Sequence, residues 1–175
     1  MTHSWNKPSI RVPASTSDHI LEMAASFFFI LMWVLGLVFY FKSQAPVPSH
    51  FDYLAKPDAW GDKNVFLITL AVASLVMLLT AASAYYPRLV NLPVHLKPEC
   101  IHEQYALMAR MMRVLNIDLG LMFLSVILTQ GAPLLKLNVR IFAVVEAVCI
   151  AFIFVLIIYY SLKIWRIGRK YKYFE

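Results

Sequence analysis

Two carboxylates, Asp118 and Glu146, stand inside runs of the chain that are otherwise apolar. By type and position they are its strongest candidates for chemistry. A carboxylate at membrane depth costs several kcal/mol unless it is paired or hydrated, so such residues serve proton relays, ion paths or buried pairs. Asp118 has two readings: an intramembrane functional group, or a packing lock paired with Arg113, Lys163 or Arg166. Glu146 lies toward the other end, level with the loop that carries His50. If that loop folds back over the helices, His50, Glu146, Gln130 and Lys63 or Arg140 meet in an outward-facing polar pocket. A protonated Glu146 hydrogen-bonded among the helices, or one drawn to the interface beside Arg140, is the alternative.

Other reactive groupings are sparse. His95, Cys100 and His102 have ligand chemistry, but no CxxC or HxxxH pair accompanies them, and Cys100 and His102 point to different sides of a helix. No metal site is expected. No histidine lies in mid-membrane to ligate heme, and no cofactor is expected. A Gly-rich phosphate loop, a nucleophile elbow and an HExxH motif are all missing. No residue is therefore assigned a catalytic role, and the expectation is a protein that is not an enzyme. Cys149 lies in an apolar run and Cys100 in a polar linker, which disfavours a disulfide.

The elements that must position these groups follow from hydropathy. Of the 175 residues, 61% are hydrophobic and 15% charged, and mean hydropathy is +0.66. Ordinary soluble domains carry about a quarter charged residues. The apolar residues fall into four blocks, which predicts an all-α four-helix transmembrane bundle, up-down-up-down, forming a single integral membrane domain over residues 1–175. The predicted spans are 20–41, 65–86, 114–130 and 141–164, each long enough for a hydrocarbon core of about 30 Å or close to it at 1.5 Å per residue.

Ser15 and Asp18 have capping-box spacing and mark the start of the first helix. Met1–Glu22 is polar with two prolines, unlike a signal peptide, so the first helix is expected to remain as an anchor. The second span is rich in Ala and Ser, with Thr80 and Ala84 in a small-xxx-small relation, and is expected at the centre of the bundle. Tyr85 and Tyr86 form an interfacial pair, and Pro87 stops the helix. The third helix is expected to begin at Pro98, to cross the headgroups at Arg110 and Arg113, and to end at the breaker Gly131. The turn Gly131–Asn138 contains Pro133. In the tail, Trp165, Tyr171, Tyr173 and Phe174 alternate with cations, as at a lipid interface.

The net charge is +6. The basic residues crowd at the ends of apolar blocks, which points to membrane topology and membrane lipids rather than nucleic acid. Lys7, Arg11, Arg88, Lys97, Arg110, Arg113, Lys163, Arg166, Arg169, Lys170 and Lys172 fall on the side of both termini. Lys42, Lys56, Lys63, Lys136 and Arg140 fall on the other. By the positive-inside rule both termini are cytoplasmic, and the loop between the first two helices is extracellular.

That loop, Pro46–Lys63, is the one stretch that hydropathy does not explain. Its prolines favour extended geometry, its aspartates and glycine favour turns, and Phe51 and Trp60 suit an interface. It reads either as a rigid cap or as a recognition surface. Through Pro46, Pro48, His50, Phe51, Pro57, Asp58, Trp60, Gly61 and Lys63 it resembles the bacterial membrane domain of unknown function 1648, found in the N-terminal part of SdpI-type immunity proteins. A weaker likeness extends to Gln104, Tyr105, Arg110 and Arg113. The resemblance implies a bacterial inner membrane as the location, and immunity against a secreted peptide with signalling to a membrane-tethered regulator.

The expected function is accordingly non-enzymatic recognition of a peptide, lipid or membrane-protein partner at the outer face. His50, Phe51, Asp58, Trp60, Lys63 and Glu146 are the candidate binding residues. Two alternatives stay open: a small transport or proton-coupled component using Glu146 and Asp118, and an accessory subunit of a larger membrane complex.

Overall fold

The structure is a computed structural model that describes residues 8–44, 46–52 and 56–171. Lys7, Lys172, Tyr173 and Phe174 lie outside the described residues.

Helix α1 spans Thr16–Lys42. Its start is the capping box expected from the sequence: Ser15 Oγ accepts from the Asp18 amide, and Asp18 Oδ2 accepts from the Ser15 amide at 2.9 Å. Two donors that the first turn would otherwise leave orphaned are satisfied reciprocally. Two short antiparallel strands follow, β1 (Val47–Phe51) and β2 (Pro57–Gly61). Helix α2 then runs from Asn64 to Tyr85, and Pro87 opens a 3-10 turn, Pro87–Leu89. A second such turn, Pro98–Cys100, leads into α3 (Ile101–Leu135), and α4 covers Val139–Lys170. All four helices are long and apolar enough to cross a membrane. The architecture is the expected all-α four-helix bundle, with the loop between α1 and α2 folded as a hairpin.

The centre of the bundle is α3, not α2. Helices α1, α2 and α4 all pack on α3, and α1 also packs on α2. Of its most apolar window, 44% is buried, against 28% for α2 and 11% for α4. Small residues alone misplace the centre, because α2 buries only one stripe: Phe66, Leu70, Ala73, Met77, Thr80 and Ala84. That stripe recurs every three or four residues, as one helix face does.

Gly131 does not end α3. A Cβ on Gly131 would stand 2.4 Å from the Phe39 ring, so the residue is small to let α3 approach α1. The helix passes through Gly131 and Pro133 and stops at Leu135. Lys136 adopts φ 52°, and the Leu137 amide returns to the Ala132 carbonyl at 3.1 Å, a left-handed helix stop.

With 35 residues, α3 is about 52 Å long, well beyond the roughly 30 Å that a span requires. The excess lies on the side of the chain termini and makes a separate apolar cluster there. Ile101, Tyr105, Met108 and Ile164 pack with Ile10, Val12, Val90, Leu92 and Val94. The main core lies nearer the hairpin, where Met32, Phe39, Phe66, Leu70, Leu124 and Ile127 surround Val47 of β1. Outward-facing positions such as Phe27, Ile30, Leu75, Leu78, Val148 and Phe154 are exposed and apolar, as a lipid-facing surface requires.

Candidate functional site

The hairpin is fixed to the bundle at one end and presented at the other. Val47 and Pro48 are buried, while Asp58, Ala59 and Trp60 are exposed in sequence along β2. The pairing matches Val47 with Gly61, Pro48 with Trp60, His50 with Ala59 and Phe51 with Pro57, with register shifts on either side of His50. Prolines are admissible here because a two-stranded sheet is all edge and has no central strand whose amides must be paired.

Each of the three aspartates has a distinct task. Asp52 Oδ1 accepts from the Lys56 amide at 2.8 Å, near the hairpin tip. Asp58 Oδ1 meets His50 Nδ1 at 2.5 Å across the strands. Asp62 Oδ1 accepts from the Asn64 amide at 2.9 Å, where α2 begins. Lys63 lies over the Tyr40 ring at 4.8 Å, a cation–π contact tying the hairpin base to α1. Phe51 is half-buried, and Trp60 is 57% exposed. The exposed side of the hairpin thus offers a large aromatic beside a hydrogen-bonded acid–imidazole pair.

The residues considered for one outward pocket are engaged separately. His50 bonds Asp58, Lys63 stacks on Tyr40, and Gln130 Nε2 donates to Thr69 Oγ1 at 2.9 Å. Glu146 Oε1 accepts from Thr129 Oγ1 at 2.7 Å, in the seam between α3 and α4. Of the two alternatives for Glu146, the structure has the hydrogen bond among the helices. Asp118 is buried in the same seam, with the Cys149 side chain as its hydrogen-bond partner and Oδ2 without one among the described residues. It does not form the ion pair with Arg113 considered above, because Arg113 Nε donates to Glu22 at 2.8 Å. Both cysteines are buried and free.

A dense polar constellation lies at the opposite end, and sequence reading missed its pairing. Arg110 Nε donates to Asp18 at 3.1 Å and its Nη2 reaches Ser15 and Ser17. Glu22 accepts from Arg113 and, at 2.8 Å, from the Tyr85 hydroxyl, while Arg113 lies over the Tyr85 ring at 5.5 Å. Three helices are clasped at one point. The signal was present: Asp18 and Glu22 are four apart, Arg110 and Arg113 three apart, and each pair lies on one helix face. Because α1 and α3 run parallel in an up-down-up-down bundle, the two pairs match in order.

Gln104, fully buried, ties the same end together. It accepts from the Lys97 amide at 2.9 Å and donates to the Ile164 carbonyl at 3.4 Å. The Tyr105 hydroxyl donates to the Pro8 carbonyl at 3.2 Å, holding the N-terminal strap. Tyr171 donates to Glu103 at 2.8 Å, and that bond to a carboxylate raises the phenol above its usual pKa of 10.0. The raised value means the link is intact at neutral pH and is lost only as pH climbs through that range.

Four apolar crossings around a polar hairpin define a multi-pass membrane protein. Within it, residues 27–75 match the family model of a domain of unknown function (DUF1648), which bears out the resemblance seen in the loop. The matched segment runs from within α1, through the hairpin, into α2. No curated protein and no solved structure matches the chain.

Proposed function

We propose that this is a non-enzymatic protein of the bacterial inner membrane that recognises a partner through the outer face of its hairpin, in an immunity or signalling setting. The observation that carries the reading is the hairpin itself: Val47 is anchored in the core while Trp60 and the His50–Asp58 pair are presented outward. Tryptophan on a preorganised scaffold is a favoured binding anchor, since it supplies a large contact area for little ordering entropy. The match over residues 27–75 supports the reading by covering the hairpin and the helix segments that hold it. A peptide, lipid headgroup or membrane-protein ectodomain would each offer the required apolar and polar contacts.

The cation distribution supports an outward hairpin and cytoplasmic termini. A second reading, a proton-coupled transport component, is favoured by Asp118 Oδ2, which has no hydrogen-bond partner among the described residues of the crossing helices. One experiment separates the two. The chain is isolated from native membrane in mild detergent, and co-purifying partners are compared across variants. Trp60→Ala is expected to lose the partner at unchanged thermal stability, while Asp118→Asn and Glu146→Gln keep it. Retention by Trp60→Ala with loss in the carboxylate variants would overturn the hairpin reading and support the transport one.

A further inference from the structure

Two cavities lie on the seam between α1 and α2, at successive depths. The first, about 740 Å³, sits at the end bearing the termini, between the strap residues Arg11 and Pro13, His19 of α1, and Tyr85 and Tyr86 of α2. The second, about 300 Å³, is walled by Ala25, Phe29 and Ile30 of α1 and by Met77 and Ala81 of α2, with Asn116 of α3 also lining it. Ala25 is six residues beyond His19, about 9 Å along the helix, and Ala81 is four residues, about 6 Å, from Tyr85. The deeper cavity therefore opens one to two turns inside the apolar crossing. It exists because alanines stand where larger side chains would close the seam.

The pair has the polarity profile of one lipid molecule. The end cavity carries a cation, an imidazole and two tyrosines at the level where headgroups lie, and the deeper one is lined chiefly by apolar side chains. Glu22, the carboxylate between them, is engaged through Oε1 by Arg113 and Tyr85, and its Oε2 faces His19 Nδ1 at 3.2 Å, so the imidazole is taken up by this carboxylate and Arg11 is the cation that the end cavity offers an anion.

We propose that the α1–α2 seam is a binding site for a single anionic glycerophospholipid, with its phosphate beside Arg11 and Tyr86 and an acyl chain in the deeper cavity. A basic side chain near the surface contributes about 1 kcal/mol toward an anionic lipid, or about fivefold in affinity. The deeper cavity makes the site selective for a lipid over a free anion.

The test uses the full chain in mild detergent, titrated with phosphatidylglycerol or phosphatidylcholine and read by native mass spectrometry. One phosphatidylglycerol per chain is expected, retained about fivefold over phosphatidylcholine, with inorganic phosphate unable to displace it. Arg11→Gln, which leaves the helices untouched, is expected to bind both lipids equally. Ala81→Phe, which fills the deeper cavity, is expected to lose both. Displacement by inorganic phosphate would mark a free-anion site. Undiminished selectivity in Arg11→Gln, or full lipid retention in a folded Ala81→Phe, would overturn the proposal. If Ala81→Phe fails to fold, the Arg11→Gln comparison decides alone.

Discussion

Arg113 is only 4% exposed and sits where three helices converge, so the consequence of removing it can be argued from its partners. Arg113→Met keeps most of the apolar stem but strips Glu22 and Tyr85 of their cation. Breaking a buried pair costs about 3–5 kcal/mol; because Glu22 retains 28% side-chain exposure, a loss of about 2–4 kcal/mol is expected. Thermal unfolding in detergent measures it. Glu22→Gln should cost less, since the amide still accepts from Tyr85, and the double variant should fall short of the sum of the two. An additive double variant would mean that the pair is not coupled. The individual polar residues were visible in the sequence, but their pairing required knowing that α1 and α3 lie parallel and in contact. For the same reason Asp118 was offered Arg113, its neighbour in sequence, when the closer competitor for that arginine was Glu22 on another helix.

At the scale of elements, the four crossings were legible because a membrane selects long apolar runs whatever their packing. Packing itself was less so. Gly131 reads as a helix stop by propensity, yet its lost side chain serves the contact with Phe39. Gly131→Ala is expected to destabilise by about 1–3 kcal/mol through overpacking, and Phe39→Leu in the same chain to recover part of that loss. Thermal unfolding of the two single variants and the double checks it. An equal effect of Gly131→Ala with and without the smaller residue at 39 would place the strain elsewhere. The hairpin was foreseen as a rigid, proline-biased loop but not as paired strands. The prolines and charges of Pro46–Lys63 mask the alternation by which a strand is recognised, and here Val47, inserted in the helical core, supplies the burial that a longer apolar stripe would normally give.

For the whole molecule, the central question is which face meets the cytoplasm. The structure sharpens the charge argument rather than repeating it. Arg110 and Arg113 are paired with Asp18 and Glu22 within the bundle, so they are weaker topology signals than a bare count implies. Arg88, Lys97, Lys163, Arg166, Arg169 and Lys170 remain on the same side. Among the cations of the hairpin side, Lys63 is drawn over Tyr40. The bias therefore survives the correction, and it is carried largely by the end of α4 and the tail that follows. Two consequences can be read together. An alkaline phosphatase fused after Glu175 should be inactive, and one inserted at the hairpin tip should be active. Replacing Arg166, Arg169 and Lys170 with Gln, a change that touches none of the clasp residues, should lower the fidelity of insertion and raise the activity of the terminal fusion. A terminal fusion fully active in the unaltered chain would invert the orientation. The Trp60 face would then look into the cytoplasm, and recognition of a secreted peptide would no longer be possible there.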